Sequence, residues 1–391
     1  AAYADATADQ VLLLPGAPLH VEVEDLTGDG HPDLLLAREW GSILLLRNDG
    51  HGHFAVAPAS WGLEQWSSRW NGLATGDLDG DGRLDLVATS WGRNTAEHAD
   101  SARPLWLIHG PFGAGGEEEM LLAQQDPRLG ALAPLNDYAR VRLAVAGLAG
   151  RIGTFAAYAD ATADQVLGPL AVRAARLRAV TLDHLAFLNR GDHFEAVPLP
   201  PEAQLAPAFA AGIADFDGDG NEDVLLSQNF YPTALGTQRY DSGRGLLLLG
   251  DGKGGMRALS AQESGLLVYG DQRGAAYADF DGDGRLDLAI AQNGALTRLF
   301  HNRAGEPGLR VRLQGPPGNP DGVGAQLRLV YGDRMGPVRE IQAGSGYWSQ
   351  NGAVQVFGLA GIPTAVWVRW PEGVERQISL PGGTREIVVR R

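Results

Sequence analysis

Short apolar runs alternate with acidic, glycine-rich punctuation along this chain, and the alternation repeats. Runs such as 33–37 (Asp-Leu-Leu-Leu-Ala) and 85–88 (Asp-Leu-Val-Ala) are short and bounded by turn residues, so they predict buried strands. The stretches just upstream, including 21–23 (Val-Glu-Val) and 212–214 (Gly-Ile-Ala), also read as extended. Between each such pair lies an acidic loop. After it comes an apolar strand, a Gly/Asn turn and another short strand, at 43–54 and 246–256, more loosely at 105–122 and 185–194, and truncated at 297–302. Gly and Asn supply the positive φ that tight hairpins need. Strand, loop, strand, strand, hairpin, strand makes a four-stranded sheet of roughly 45–65 residues, the unit of a propeller that buries its sheets against one another. Five hairpins and four loops predict an all-β fold: a β-propeller with five recognisable four-stranded blades, one without its loop. Degenerate stretches such as 113–119 leave six or seven blades open.

Two regions break the pattern. Residues 135–178 are rich in Ala, Leu and Arg, and Val141, Val145, Leu148 and Ile152 recur at helical spacing, predicting an insertion of two or three short helices. Within it, 156–167 (AAYADATADQVL) repeats Ala1–Leu12 residue for residue, and Ala-Ala-Tyr-Ala-Asp starts again at Ala275. The copies read equally as a degenerate blade strand, as a helix capped near Thr7 or Thr162, or as a duplication. From about Arg303 a Gly/Pro stretch opens a different module. There 309–313, 326–330, 338–342, 354–358, 365–370 and 386–389 alternate like strands of a small β-sandwich, and a polar-aromatic loop spans 343–350. The expected division is a propeller over 1–303, with its helical insertion, and a β domain over 304–391.

The loops carry the chemistry. Residues 279–287 read D-x-D-x-D-G-x-x-D, placing Asp279, Asp281, Asp283 and Asp287 around one point, with a backbone carbonyl at Arg285. Calcium takes six to eight oxygens, and crowded carboxylates need such a cation to offset their repulsion. The loop recurs with Asp77, Asp79, Asp81, Arg83 and Asp85, and with Asp215, Asp217, Asp219, Asn221 and Asp223. It recurs again with Asp25, Thr27, Asp29, His31 and Asp33, where a hydroxyl replaces one carboxylate. An EF-hand needs flanking helices and a glutamate at position twelve; Leu36, Ala88, Leu226 and Ile290 stand there instead. About four structural Ca2+ ions, held between strands, are therefore expected.

Composition narrows the function. The net charge is −15, concentrated in the loops, which disfavours nucleic acid. No apolar run approaches the ~18 residues that span a bilayer. With no cysteine there are no disulfides and no thiolate chemistry. Weak calcium sites fill near millimolar calcium, which points to an extracellular or cell-surface setting, or the periplasm, and a chain starting Ala1-Ala2 reads as a mature product.

The DGDGxxD loops with their hairpins resemble FG-GAP/VCBS repeats. The tail closely resembles the ASPIC/UnbV domain through 319–325 (NPDGVGA), Arg339-Glu-Ile-x-Ala-Gly-Ser-Gly-Tyr-x-Ser-Gln350 and Val366-x-Val-x-Trp-Pro371. The combination is similar to bacterial secreted proteins of the cartilage acidic protein type. It implies a calcium-binding propeller and no agreed enzymatic activity. Trp40, Trp61, Trp66, Trp70, Trp91 and Trp106, with Arg69, Arg93, Asn71 and Asn94, read either as inter-blade packing or as a face for a glycan or protein partner. Ser345, Tyr347, Trp348, Ser349 and Gln350 form a second candidate surface. The expected function is binding, adhesion or extracellular assembly, including a homo-oligomer or filament in which Ala1–Leu12 is exchanged between subunits. The alternative is an extracytoplasmic enzyme acting on a polysaccharide, lipid or polyketide-type substrate at the propeller face, with Glu39 and Glu64 as paired acids.

Overall fold

A computed structural model of the protein describes residues 18–233 and 237–391, so the expectations for Ala1–Leu12 lie outside the described residues. Each acidic loop joins two antiparallel strands. In the first sheet β1 (Pro18–Glu24), β2 (Asp33–Ser42), β3 (Leu44–Asn48) and β4 (Phe54–Val56) pair in chain order, and β5 (Ser67–Arg69) joins the far end of β2. The second sheet begins with β6 (Gly72–Gly76) and β7 (Asp85–Thr89), and the chain then leaves it.

Residues 90–184 form an excursion of their own. Strands β8 (Leu105–Pro111), β9 (Glu118–Asp126) and β10 (Ala131–Pro134) precede four short helices: α1 (Tyr138–Ala144), α2 (Leu148–Arg151), α3 (Phe155–Ala159) and α4 (Ala163–Leu167). Strand β11 (Ala175–Ala179) then returns to pair with β8. Val141, Val145, Leu148 and Ile152 point inward onto Phe112 and Leu121, as the helical spacing requires. Thr162 caps α4 in a reciprocal box with Gln165. The tetrapeptide Ala-Ala-Tyr-Ala is helical in α3 and extended at 275–278, so its surroundings choose its conformation.

Strands β12 (Leu185–Asn189) and β13 (Phe194–Pro198) then complete the second sheet, Leu185 opposite Ala88 and Phe187 opposite Leu86. This corrects the blade count read from sequence. The hairpin at 105–122 belongs to the excursion, and the hairpin at 185–194 is the second half of the sheet that carries the loop at 77–85. The pairing of β7 with β12 bridges the excursion, and local periodicity carries no signal across such a gap.

The third sheet is β14 (Ala208–Ala214), β15 (Asp223–Gln228), β16 (Leu246–Gly250) and β17 (Met256–Ala258), followed by α5 (Ala261–Ser264). The fourth is β18 (Asp271–Ala278), β19 (Asp287–Asn293) and β20 (Arg298–Phe300). Among the described residues there are thus four loop-bearing sheets, and none closes on itself. Their first strands stand in succession, β1 on β6, β6 on β14 and β14 on β18. A Cβ on Gly72 would lie 2.0 Å from the Phe209 carbonyl oxygen, so β6 needs glycine there to admit β14.

The remaining strands are β21 (Leu309–Gln314), β22 (Gln326–Tyr331), β23 (Arg334–Met335), β24 (Arg339–Glu340), β25 (Gln355–Phe357), β26 (Ala365–Arg369), β27 (Glu375–Ser379) and β28 (Glu386–Arg390). They make two sheets, β25-β21-β28 and β23-β22-β26-β27 with β24 on β22, around Val311, Leu327, Val366, Val368 and Trp370. Strand β27 falls outside the alternating stretches of the sequence, since Glu375–Ser379 is almost wholly exposed and lacks an apolar run.

Candidate metal centres and the module that covers them

The four loops share one hydrogen-bond pattern, which explains their sequence. The first aspartate of each accepts from the sixth-position glycine amide: Gly30 to Asp25 at 3.0 Å, Gly82 to Asp77 at 2.9 Å, Gly220 to Asp215 at 2.8 Å and Gly284 to Asp279 at 3.0 Å. Those glycines have φ between 86° and 94°, a conformation that a side chain would strain. The fifth-position carboxylates Asp29, Asp81, Asp219 and Asp283 accept from the amides of His31, Arg83, Asn221 and Arg285.

The ninth aspartate is buried and takes two amides. One comes from within its loop and the other from the hairpin of its own sheet: Asn48 to Asp33, Asn189 to Asp85, Gly250 to Asp223 and Asn302 to Asp287, at 2.7–2.9 Å. Loop and hairpin recur together because that aspartate joins them.

Carboxylate oxygens converge within 4.8 Å of one another in Asp77, Asp79 and Asp85, in Asp215, Asp217 and Asp223, and in Asp279, Asp281 and Asp283. His301 joins Asp281 and Asp287 as a further group; the truncated hairpin at 297–302 contains it, but nothing in the acidic motif points to its imidazole. Among the described residues the first loop, with Thr27 in place of an acid, brings no three such groups together. Asp29 and His31 there are exposed.

A metal fits the first two loops on an independent ground. Oxygens Asp25 Oδ1, Asp77 Oδ1 and Asp79 Oδ1 are buried without a hydrogen-bond partner, which is costly unless something electropositive meets them. Burial pushes Asp77 up to about 6, Asp215 to about 7, and Asp85 and Asp223 to about 8. A cation among them would reverse that effect.

The C-terminal sheets cover this same face and reach every loop. Arg369 pairs with Asp25 Oδ2. The Val338 amide donates to Asp77 Oδ2 at 2.9 Å. Arg310 Nε lies 2.8 Å from Asp279 Oδ2. At the third loop the Leu359 amide donates to the Gly218 carbonyl, and the buried guanidinium of Arg339 pairs with Glu222 at 2.6 Å and acts on Asp215.

Between β24 and β25 the chain dips among the first strands. Gln342 donates to Glu24 and to Thr75, the Gly352 amide donates to the Tyr277 carbonyl, and the Tyr347 ring meets Phe209 at 5.6 Å. A cavity of about 40 Å3 beside this insertion is lined by Glu24, Glu222, Glu340 and Tyr277, and burial holds Glu340 at about 7.

The tryptophan face is mostly interior. Trp40, Trp61, Trp70 and Trp91 are buried, and Trp66 and Trp106 are half-buried. Arg69 lies over Trp91 at 3.9 Å and Trp40 at 5.3 Å, and its guanidinium pairs with Glu39. Arg93 pairs with Asp183, Asn71 donates to the Ser90 and Ala208 carbonyls, and Asn94 donates to the Leu205 carbonyl. Four of these six tryptophans are thus packed in the interior. Trp348 is exposed, 88% accessible, at φ 51° and stacked 5.7 Å from Tyr347.

Among known proteins, the structure is similar to rhamnogalacturonan lyase YesW, at 14% identity over 94% of this chain and TM-score 0.32. It is similar to the Bacillus licheniformis rhamnogalacturonan lyase PL11, at 14% identity over 94% and TM-score 0.28. The chain spans 58% of the length of each lyase. The V. cholerae biofilm matrix protein Bap1 matches at 11% identity over 95% of this chain and 76% of that one, with TM-score 0.18. At these scores the likenesses carry no functional argument. No curated protein matches the chain. Among the described residues no helix is long and apolar enough to cross a membrane. Two family models do match, an FG-GAP-like repeat over 25–88 and ASPIC and UnbV over 315–391. The chain carries an FG-GAP-like repeat and ends in an ASPIC and UnbV domain.

Proposed function

We propose that the chain is an extracellular, calcium-stabilised propeller protein that acts by binding or assembly, with calcium in a structural role. The observation that carries this reading is the set of buried, unpartnered carboxylate oxygens at Asp25, Asp77 and Asp79. A hard divalent cation with oxygen ligands is the partner they fit, and one ion per loop gives about four. Such ions would have few open positions and would sit under the C-terminal module, so they hold the module over 304–391 to the propeller over 1–303. The partner, glycan or protein, would meet the stacked pair Tyr347 and Trp348, a rigid aromatic surface of the kind that anchors interfaces. Glu39 is engaged by Arg69, which favours binding over glycosidic chemistry at that face.

Metal analysis with thermal unfolding tests the calcium reading. About four calcium ions per chain and a melting temperature that falls by more than ~10 °C in chelator are expected, since native-state binding adds directly to stability. A calcium-free chain that melts unchanged in chelator contradicts it.

A further inference from the structure

The fourth loop differs from the other three in having a nitrogen ligand beside its carboxylates. His301 directly precedes Asn302, whose amide donates to the buried Asp287 at 2.8 Å. The residues in the same place in the other hairpins are Arg47, Leu188 and Leu249, whose side chains are not metal ligands. His301 Nδ1 lies 3.2 Å from Asp287 Oδ1 and 3.4 Å from Asp281 Oδ2. One ligand atom from each of these three residues falls within 4.8 Å of the other two. Two metal bonds of about 2.0–2.1 Å meeting at a tetrahedral angle hold their ligand atoms roughly 3.3–3.4 Å apart, so the imidazole stands where a zinc-sized ion needs it. A single Nδ1 hydrogen serves one carboxylate well, whereas a cation serves both.

The oxygen set of the same loop is less open to calcium. Asp25 and Asp77 each keep a buried Oδ1 without a hydrogen bond. Asp279 has both oxygens engaged: Oδ1 accepts from the Gly282 amide at 2.8 Å, and Oδ2 accepts from the Gly284 amide at 3.0 Å with Arg310 Nε 2.8 Å away. We infer that the fourth loop takes a transition-metal ion of the zinc type in preference to calcium, held by His301, Asp281 and Asp287. Imidazole suits zinc, whereas calcium takes oxygen ligands. Asp287 is preset for this, because the Asn302 and Phe280 amides fix its two oxygens. Asp281 and His301 are exposed, so water completes the shell on the open side. The inference rests on the reading that the loops hold cations, and it changes the identity of one of them.

The test is a zinc titration of the full chain in saturating calcium, followed by calorimetry and by metal counting after gel filtration. The unmodified chain should retain one zinc ion, which displaces one calcium. His301→Leu supplies the side chain that Leu188 and Leu249 provide in two other sheets, and its calcium content reports that it folds. It should bind that zinc at least about tenfold more weakly and keep its calcium affinity. A chain that takes no zinc in calcium overturns the inference, as does zinc that binds His301→Leu equally well. Equal weakening of both metals in the variant would show that the imidazole does not select, and overturns it too. The calcium count keeps the two readings apart. Calcium bound without zinc sinks this inference alone, and zinc bound at His301 by a chain that takes no calcium sinks the calcium reading alone.

Discussion

The two middle loops and the two end loops share a backbone but differ in what faces their first carboxylate. At 25–33 and 279–287 an arginine of the C-terminal module pairs directly with it, Arg369 on Asp25 and Arg310 on Asp279. At 77–85 and 215–223 Arg328 and Arg339 act on the first carboxyl only through space, and burial pushes Asp77 up to about 6 and Asp215 to about 7. The end loops are thus partly neutralised by protein. In the middle loops the first carboxylate has no arginine ion pair, although Arg190 pairs with Asp79, so on the proposed reading the middle pair holds more of the metal dependence and the end pair clamps the covering module.

Ligand removal in the middle pair should have the largest effect. Asp223→Ala would orphan the Phe216 and Gly250 amides and, on the proposed reading, remove a metal ligand. A loss of about 3–5 kcal/mol is expected in calcium from the two buried amides and the lost ion pairing, read as a large drop in denaturation midpoint. A loss no greater than that of Asp281→Ala, an exposed carboxylate of the fourth loop, would erase the distinction between the pairs.

Breaking a clamp comes next. Arg369→Ala should cost about 1.5–3 kcal/mol, the range for a partly buried charged hydrogen bond, and should hasten proteolysis between residues 304 and 391. It should also tighten calcium at the first loop, because Asp25 loses its competing cation. Weaker calcium binding, measured by calorimetry, would refute the clamp.

The pH dependence of the metal-free chain is a further test. The folded pKa values of Asp77, Asp85, Asp215 and Asp223 lie above their unfolded value near 3.8, so the folded state binds more protons between them. Stability in chelator should therefore fall as pH rises from about 4 to about 8. With calcium bound these groups stay ionised and the slope reverses, because protons then compete with the metal. Melting in chelator at about pH 5.5 and about pH 8 decides the sign.

The smallest effect should come from Thr27→Asp, which gives the first loop the acid its counterparts have. Severalfold tighter calcium binding at that site is expected by calorimetry, with little change in melting temperature.

The loops, their strands and the C-terminal sheets were legible because each is encoded locally, by alternate aspartates, fixed glycines and short apolar runs. Two things were not. The union of β7 with β12 joins sequence-distant strands, and it is the ladder itself, with the Asp85–Asn189 hydrogen bond and the packing around Phe187, that reveals it. The seating of Arg310, Arg339 and Arg369 on the loop face was also hidden, because an arginine in an alternating strand reads as a solvent-facing residue. His301 could have been found: it precedes the hairpin Asn302 as Arg47 and Leu188 precede Asn48 and Asn189, and it alone of the three can ligate a metal.

Hydrogen exchange on the full chain, with calcium and then with chelator, tests the central claim most directly. If calcium holds the C-terminal module to the loops, the amides of Gly82, Gly220, Val338 and Leu359 should lose protection together on chelation, while β22 and β26 stay protected within their own sheet. If those four amides exchange at the same rate in both conditions, calcium does not join the two parts and the account is wrong.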